Sequence, residues 1–450
     1  MSRPGASDAP GSSDALRGIP RRHKVIARSA RRILLKALPD RRRMSHIAAA
    51  PGPSQPRRQD SSIQALRGIA VILMVAGHVI GVGNQGLRVG DHSAWHYSYL
   101  ALADVRMPLF TLLSGYVYAM VPVAGWQQYP RLLEGKSRRL LYPLITVGTL
   151  QYVLACNIPG ANYNPHKLPI WRIYVFGFEH LWFLQSIFVI FLIIGILDSI
   201  GVLDSRRGWA VATSVAAVAY VVVQIPARVD VFTVSGAVRL LPFFLIGYGL
   251  RRHSLLDLRG TPALLAMTAF AGFYTVRLLA IDGRFHPDGY EDRAITLTVG
   301  ATALILIYSA RGYLDAKPLA WIGGFSFGIY LLHDLATAGT RIGLERFGIH
   351  VRWELFLTGL LMGISAPIVF QLLFRNVTVI RTFVLGERPH TGRHTRKRRY
   401  GLRRKPAAVE IHSGNGSRSE PPTTGLAAAR ASSANRIASR TAAPPESLLK

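Results

Sequence analysis

Two residues in the first long apolar stretch of this chain stand out by type and spacing. The segment from Ser62 to Ile80 (SIQALRGIAVILMVAGHVI) carries Arg67 and His78 with ten residues between them. On a helix, eleven steps of about 100° return to within roughly 20° of the starting direction while rising about 16 Å, so the two share one face at different depths. Histidine titrates near neutrality and suits a base that takes a proton from a hydroxyl. Arginine suits an anion such as a phosphate. Each residue also has a plainer reading, Arg67 as a charge flanking a membrane span and His78 as a hydrogen-bonding residue in helix packing. Their alignment weighs against both.

The elements that must position such residues follow from the distribution of charge. The chain has 450 residues, half of them hydrophobic and 17% charged. Residues 1–60 hold 14 Lys/Arg against 4 Asp/Glu, and residues 381–450 hold 15 against 4, so most of the formal net charge of +30 lies at the ends. A helix needs roughly 20 mostly apolar residues to cross a bilayer. The apolar runs predict an all-α polytopic membrane protein of about ten spans, near 63–82, 105–122, 140–158, 181–200, 209–225, 235–250, 262–281, 293–310, 319–338 and 355–374.

The ends are rich in Ser, Pro, Ala and Arg and are expected to be disordered. Lys/Arg in the short loops are nearly balanced between the two sides. The basic ends, with Arg57, Arg58 and the run Arg393 to Lys405 close to the outermost spans, place both termini in the cytoplasm of a cell (inner) membrane protein, which requires an even number of helices. Val25 to Leu38 reads as a basic amphipathic helix suited to an anionic leaflet; a start at Met44 would remove it. Membrane lipid, not nucleic acid, is the expected partner of these ends.

Several chemistries are excluded. Cys156 is the single cysteine, so no intramolecular disulfide or thiolate cluster is possible. The chain has no phosphate loop leading into Lys-Ser/Thr and no His-Glu-x-x-His, and no metal is expected. Polar residues in or beside the helices are therefore the candidates.

The stretch Ile63 to Ala70 (IQALRGIA), with His78 beyond it, resembles the signature of the acyltransferase-3 family of membrane O-acyltransferases. Further segments match in order: Met107 to Tyr116 (MPLFTLLSGY), Lys136 to Pro143 (KSRRLLYP) as a basic loop before the third helix, His180 to Leu184 (HLWFL), Leu241 to Tyr248 (LPFFLIGY) and Ser326 to His333 (SFGIYLLH). The wording is most similar to the branch containing fucose 4-O-acetylases and exopolysaccharide acetyltransferases. Many members carry Arg-x-x-Arg where this chain has Lys136-Ser137-Arg138-Arg139, which leaves open whether Lys136 or Arg138 takes the first position.

The resemblance implies a transmembrane acyltransferase domain over residues 61–380 that moves an acetyl or other short acyl group from acyl-CoA (acetyl-CoA), a donor substrate and not a bound cofactor, to a hydroxyl of a carbohydrate or glycolipid. His78 is then the base, and Arg67, Lys136 and Arg139, with Arg138 as alternative, meet the phosphates. The 16 Å from Arg67 to His78 is of the order of a pantetheine arm. His333, His180 and Trp182 are expected to serve the acceptor or support the site, as are Ser114 and Tyr116, although Ser114-Gly115 also fits close helix packing. The loop Ile281 to Arg293 reads as solvated surface. A secondary transporter is the alternative, but the chain shows no convincing repeated halves.

Overall fold

The computed structural model describes residues 60–388 except 84, 162–164, 166, 167 and 255–260. The expectations for the N-terminal tail and for most of the C-terminal one lie outside these residues. The elements used below are α1 (Ser61–Ile80), α2 (Ala94–Ala101), α3 (Ala103–Tyr118), α4 (Tyr129–Asn157), α5 (Arg172–Val175), α6 (Trp182–Ser199), α7 (Arg206–Val222), α8 (Val234–Arg252), α9 (Thr261–Ile281), α10 (Gly289–Ser309), α11 (Lys317–Gly324), α12 (Ser326–Arg346) and α13 (Arg352–Leu373). There are no strands among the described residues, so the fold is all-α.

Eight helical stretches are long and apolar enough to cross a bilayer, and a ninth span results if α11 and α12, bent by 77° about Phe325, count as one. The tenth expected span, 209–225, is α7, which at 17 residues sits at the lower limit for crossing. Ser205 caps its start through the Gly208 N–H, and Pro226 follows its end. Its outer face, Val211, Val215, Val218 and Val222, is exposed in the manner of a lipid-facing stripe. α9 carries the same signal more strongly, with no buried residue along its length and Leu264, Leu265 and Met267 all exposed. An apolar surface of that kind is stable in hydrocarbon and not in water.

The segment Lys136 to Pro143 corrects the sequence reading. It is not a loop, because α4 begins at Tyr129, with Pro130 in its first turn, and continues through Pro143 to Asn157. The charges hid this extension from an apolar count. Residues Ile380–Val384 form a π-helical turn against α4, where Phe383 stacks on Tyr142 and Leu385 is buried.

α1 lies inside the bundle and packs against α3, α11, α12 and α13. Two glycines permit its contact with α11: a Cβ on Gly68 would fall 2.1 Å from the Leu319 carbonyl oxygen, and one on Gly323 would fall 1.9 Å from that of Gln64. α3 and α8 meet the same way, with Gly115 against the Phe244 carbonyl and Gly247 against that of Leu112. Just below this contact the Asp198 carboxylate of α6 accepts hydrogen bonds from Tyr118 (2.6 Å) and Tyr248 (2.9 Å), tying three helices together.

Gly115→Val places a side chain on backbone that cannot yield and is expected to cost about 1–3 kcal/mol as overpacking. A lowered melting temperature of the detergent-solubilised protein checks this, against Gly272→Val, which faces open space on α9 and should leave it unchanged.

Candidate active site

His78 stands two residues before the end of α1, which Gly81 closes at φ 66°, its N–H donating to the Gly77 carbonyl (2.9 Å). Two more histidines meet it there from other elements. Its ring centroid lies 4.8 Å from that of His333 on α12 and 5.9 Å from that of His180, while His180 and His333 are 4.7 Å apart. His180 reaches this position because Glu179, at φ 43°, takes a left-handed turn immediately before α6.

The three rings differ in access. His333 is 0% exposed and His180 3%, whereas His78 is half-buried and lines three separate cavities. The His333 Nδ1 faces the carbonyl oxygens of Tyr330 (2.8 Å) and Ile329 (3.2 Å). Both can only accept, so Nδ1 carries the hydrogen and Nε2 presents a lone pair. That Nε2 and both nitrogens of His180 are buried without a hydrogen-bond partner. Buried polar atoms without protein partners are uncommon in folded proteins, and three in one cluster make it a candidate site. The Tyr330 hydroxyl donates to the His180 carbonyl oxygen (2.7 Å) and fixes α12 against the start of α6.

Arg67 sits at the other end of α1 and lines a cavity of about 440 Å³ with Lys136 and Arg139 of α4. Aromatic faces hold the latter two, the Lys136 ammonium 3.5 Å from the Phe191 centroid and the Arg139 guanidinium 4.1 Å from that of Phe327. Arg139 also donates to the Leu385 carbonyl. None of the lining residues is Asp or Glu, and Arg67 and Lys136 have no ion-pair partner among the described residues. Three cations lining one cavity without a carboxylate among them have the chemistry to hold an anion. Of the two residues left open by the sequence, Lys136 lines this cavity. Arg138 lines only a more open recess, which Lys136 and Arg139 also border together with Glu387 and Arg388, and it lies 3.8 Å from Glu134.

A larger cavity of about 800 Å³ opens on the His78 side, and Trp182 and His180 line it. The Trp182 ring packs against Gly236 of α8, where a Cβ would fall 2.9 Å from it. Tyr330 lines both this cavity and the cationic one and forms a wall between them. Ser114 lines the cationic cavity, its hydroxyl spent on the Phe110 carbonyl (2.8 Å). Tyr116 is not brought to the site; it is buried against Tyr308 near Arg251. The Ile281 to Arg293 loop also stays away: Asp288 caps α10, Asp292 pairs with Arg277, and Arg293 donates to the carbonyl oxygens of Tyr220 and Val223.

One residue at the site escaped the sequence reading. Arg106, just ahead of the Met107 segment, is only 8% exposed and lies against Gly77, where an added Cβ would overlap its guanidinium. A charge inside an apolar run was the available signal. The difference in access among the histidines predicts that diethyl pyrocarbonate modifies His78 before His180 or His333. Peptide mass spectrometry of the briefly treated, folded protein reads this directly, and equal labelling would contradict the geometry.

A family model described as an acyltransferase domain (Acyl_transf_3) matches residues 60–374, which takes in α1 through α13 and both ends of the histidine and cation clusters. No curated protein and no solved structure matches the chain. With most of its length matched, and with its helices suited to a bilayer, the chain belongs to the acyltransferase-3 family and is a membrane acyltransferase.

Proposed function

We propose that this acyltransferase moves an acetyl or other short acyl group from acyl-CoA to a sugar hydroxyl in a glycan, glycolipid or exopolysaccharide, with His78 as the base. The observation that carries the reading is the joint placement of a carboxylate-free cationic cavity at Arg67 and a half-buried histidine about 16 Å further along the same helix. The cations suit the phosphates of coenzyme A, and the span suits its pantetheine arm passing Tyr330. The polar cavity on the far side of His78, with Trp182 in its wall, suits a sugar.

The chemistry then balances on one histidine. The His78 imidazole takes the proton of the acceptor hydroxyl as the oxygen attacks the thioester carbonyl. The tetrahedral intermediate collapses, the carbon–sulfur bond breaks, and the coenzyme A thiolate takes the proton back from the imidazolium. His333 and His180 orient the His78 ring through their edge contacts. The basic ends and the positive rim at Arg67 favour donor access from the cytoplasm across an inner membrane.

Mass spectrometry of envelope glycans and glycolipids tests this in cells carrying the intact gene, a deletion, or His78→Ala at equal expression. Loss of the same acyl group in both mutants is the expected result. An unchanged profile accompanied by altered solute movement would favour transport instead. With purified enzyme, Arg67→Ala or Lys136→Ala should raise KM for acyl-CoA roughly tenfold to a hundredfold with a smaller change in kcat, from about 1.5–3 kcal/mol per hydrogen bond to a charged group. Arg138→Ala should do little.

A further inference from the structure

The large cavity beside His78 holds charges that the transfer step leaves unused. Arg106 of α3, Arg172 of α5 and Arg239 of α8 all line it. Two carboxylates line it as well, and both are occupied. Asp104 is bound by the Arg277 Nε of α9 (2.9 Å), and Asp230 accepts the Ser235 backbone N–H (2.9 Å) and hydroxyl. Arg106 donates to the Tyr99 carbonyl (3.1 Å) with its guanidinium over the Tyr99 ring (4.1 Å). Arg172 lies over Phe176 (4.7 Å). Arg239 has neither a hydrogen bond nor an ion pair among the described residues and feels only the longer-range attraction of Asp104, although it sits in a helix long enough to span the bilayer.

Three guanidiniums around one polar volume repel one another, and an unpaired charge in a membrane helix is costly. Their planar forks fit a carboxylate or phosphate through paired hydrogen bonds. Tyr99, Tyr220 and Trp182 in the same wall offer faces and polar edges to a ring. The volume lies within the range of small-molecule sites.

We propose that the acceptor is an anionic saccharide, a sugar bearing a carboxylate or phosphate, whose charge is clamped by Arg106, Arg172 and Arg239. The contact of Arg106 with Gly77 sets the clamp beside the residue that activates the hydroxyl. The inference rests on the reading of His78 as the base facing this cavity.

The test uses the full chain in nanodiscs of uncharged lipid, with coenzyme A present to fill the cation site at Arg67. Melting temperature is followed with D-glucuronate, glucose 1-phosphate, D-glucose and inorganic phosphate. The expected result is a rise with the two anionic sugars exceeding that with glucose or phosphate, lost in Arg239→Gln and Arg172→Gln and kept in Arg131→Gln. Equal shifts with glucose, a full shift with phosphate alone, persistence in Arg239→Gln, or no shift at all would overturn the clamp. The glycan profiles separate the two readings. An acyl group lost from a neutral sugar in His78→Ala cells defeats the clamp and leaves the transfer reading standing. Anionic sugar binding with an unchanged profile does the reverse.

Discussion

Hydrocarbon offers no partner to a polar group, so every charged side chain in a membrane helix must face protein or a water-filled cavity. α1 carries Arg67 near one end and His78 near the other, and both lie on the face that the alignment along the helix dictates. The helix is therefore held inside the bundle, wrapped by α3, α11, α12 and α13. Gly68 and Gly323 let α11 approach to backbone contact, and Gly77 leaves room for Arg106. The other helices are placed by what they must bring to α1: α4 its cations, and the α6 and α12 segments their histidines.

Much of this arrangement was legible in the sequence because it is local. The shared face of Arg67 and His78 needs only helical geometry. Ser114-Gly115 was readable as a close contact, and the structure puts Gly115 against α8 while Ser114 also borders the cationic cavity. What was not legible depends on pairing across the chain. His78, His180 and His333 come from segments separated by about a hundred residues or more, and nothing within each segment announces the others. The bend at Phe325 is invisible to an apolar count, since α11 and α12 together read as one run. The extension of α4 was missed for the opposite reason, because charged residues lowered the hydropathy of a stretch that is nonetheless helical.

The two cavities divide the cations by how they are compensated. At the Arg67 end no carboxylate lines the space, and Phe191 and Phe327 supply only ring faces. At the His78 end carboxylates are present but committed elsewhere, Asp104 to Arg277 and Asp230 to the start of α8. The Arg277 pairing also anchors α9, a helix without a buried residue, to α3 and α10. A single buried charge arrangement thus fixes a peripheral helix and leaves the arginines of the cavity without an ion pair among the described residues.

Tyr330, the side chain common to the walls of both cavities, has a bearing on bioenergetics as well as on catalysis. Cavities that open from the two ends of a membrane-spanning helix and meet near its middle approach the condition of a pore. A continuous file of water there would conduct protons and dissipate the gradient across the bilayer. The phenol ring, pinned through its hydroxyl to the His180 carbonyl, borders both cavities, and the guanidinium and ammonium groups on either side would oppose the passage of any small cation. On the reading proposed above, the same positive charge that attracts an anionic substrate would also oppose the leak of small cations.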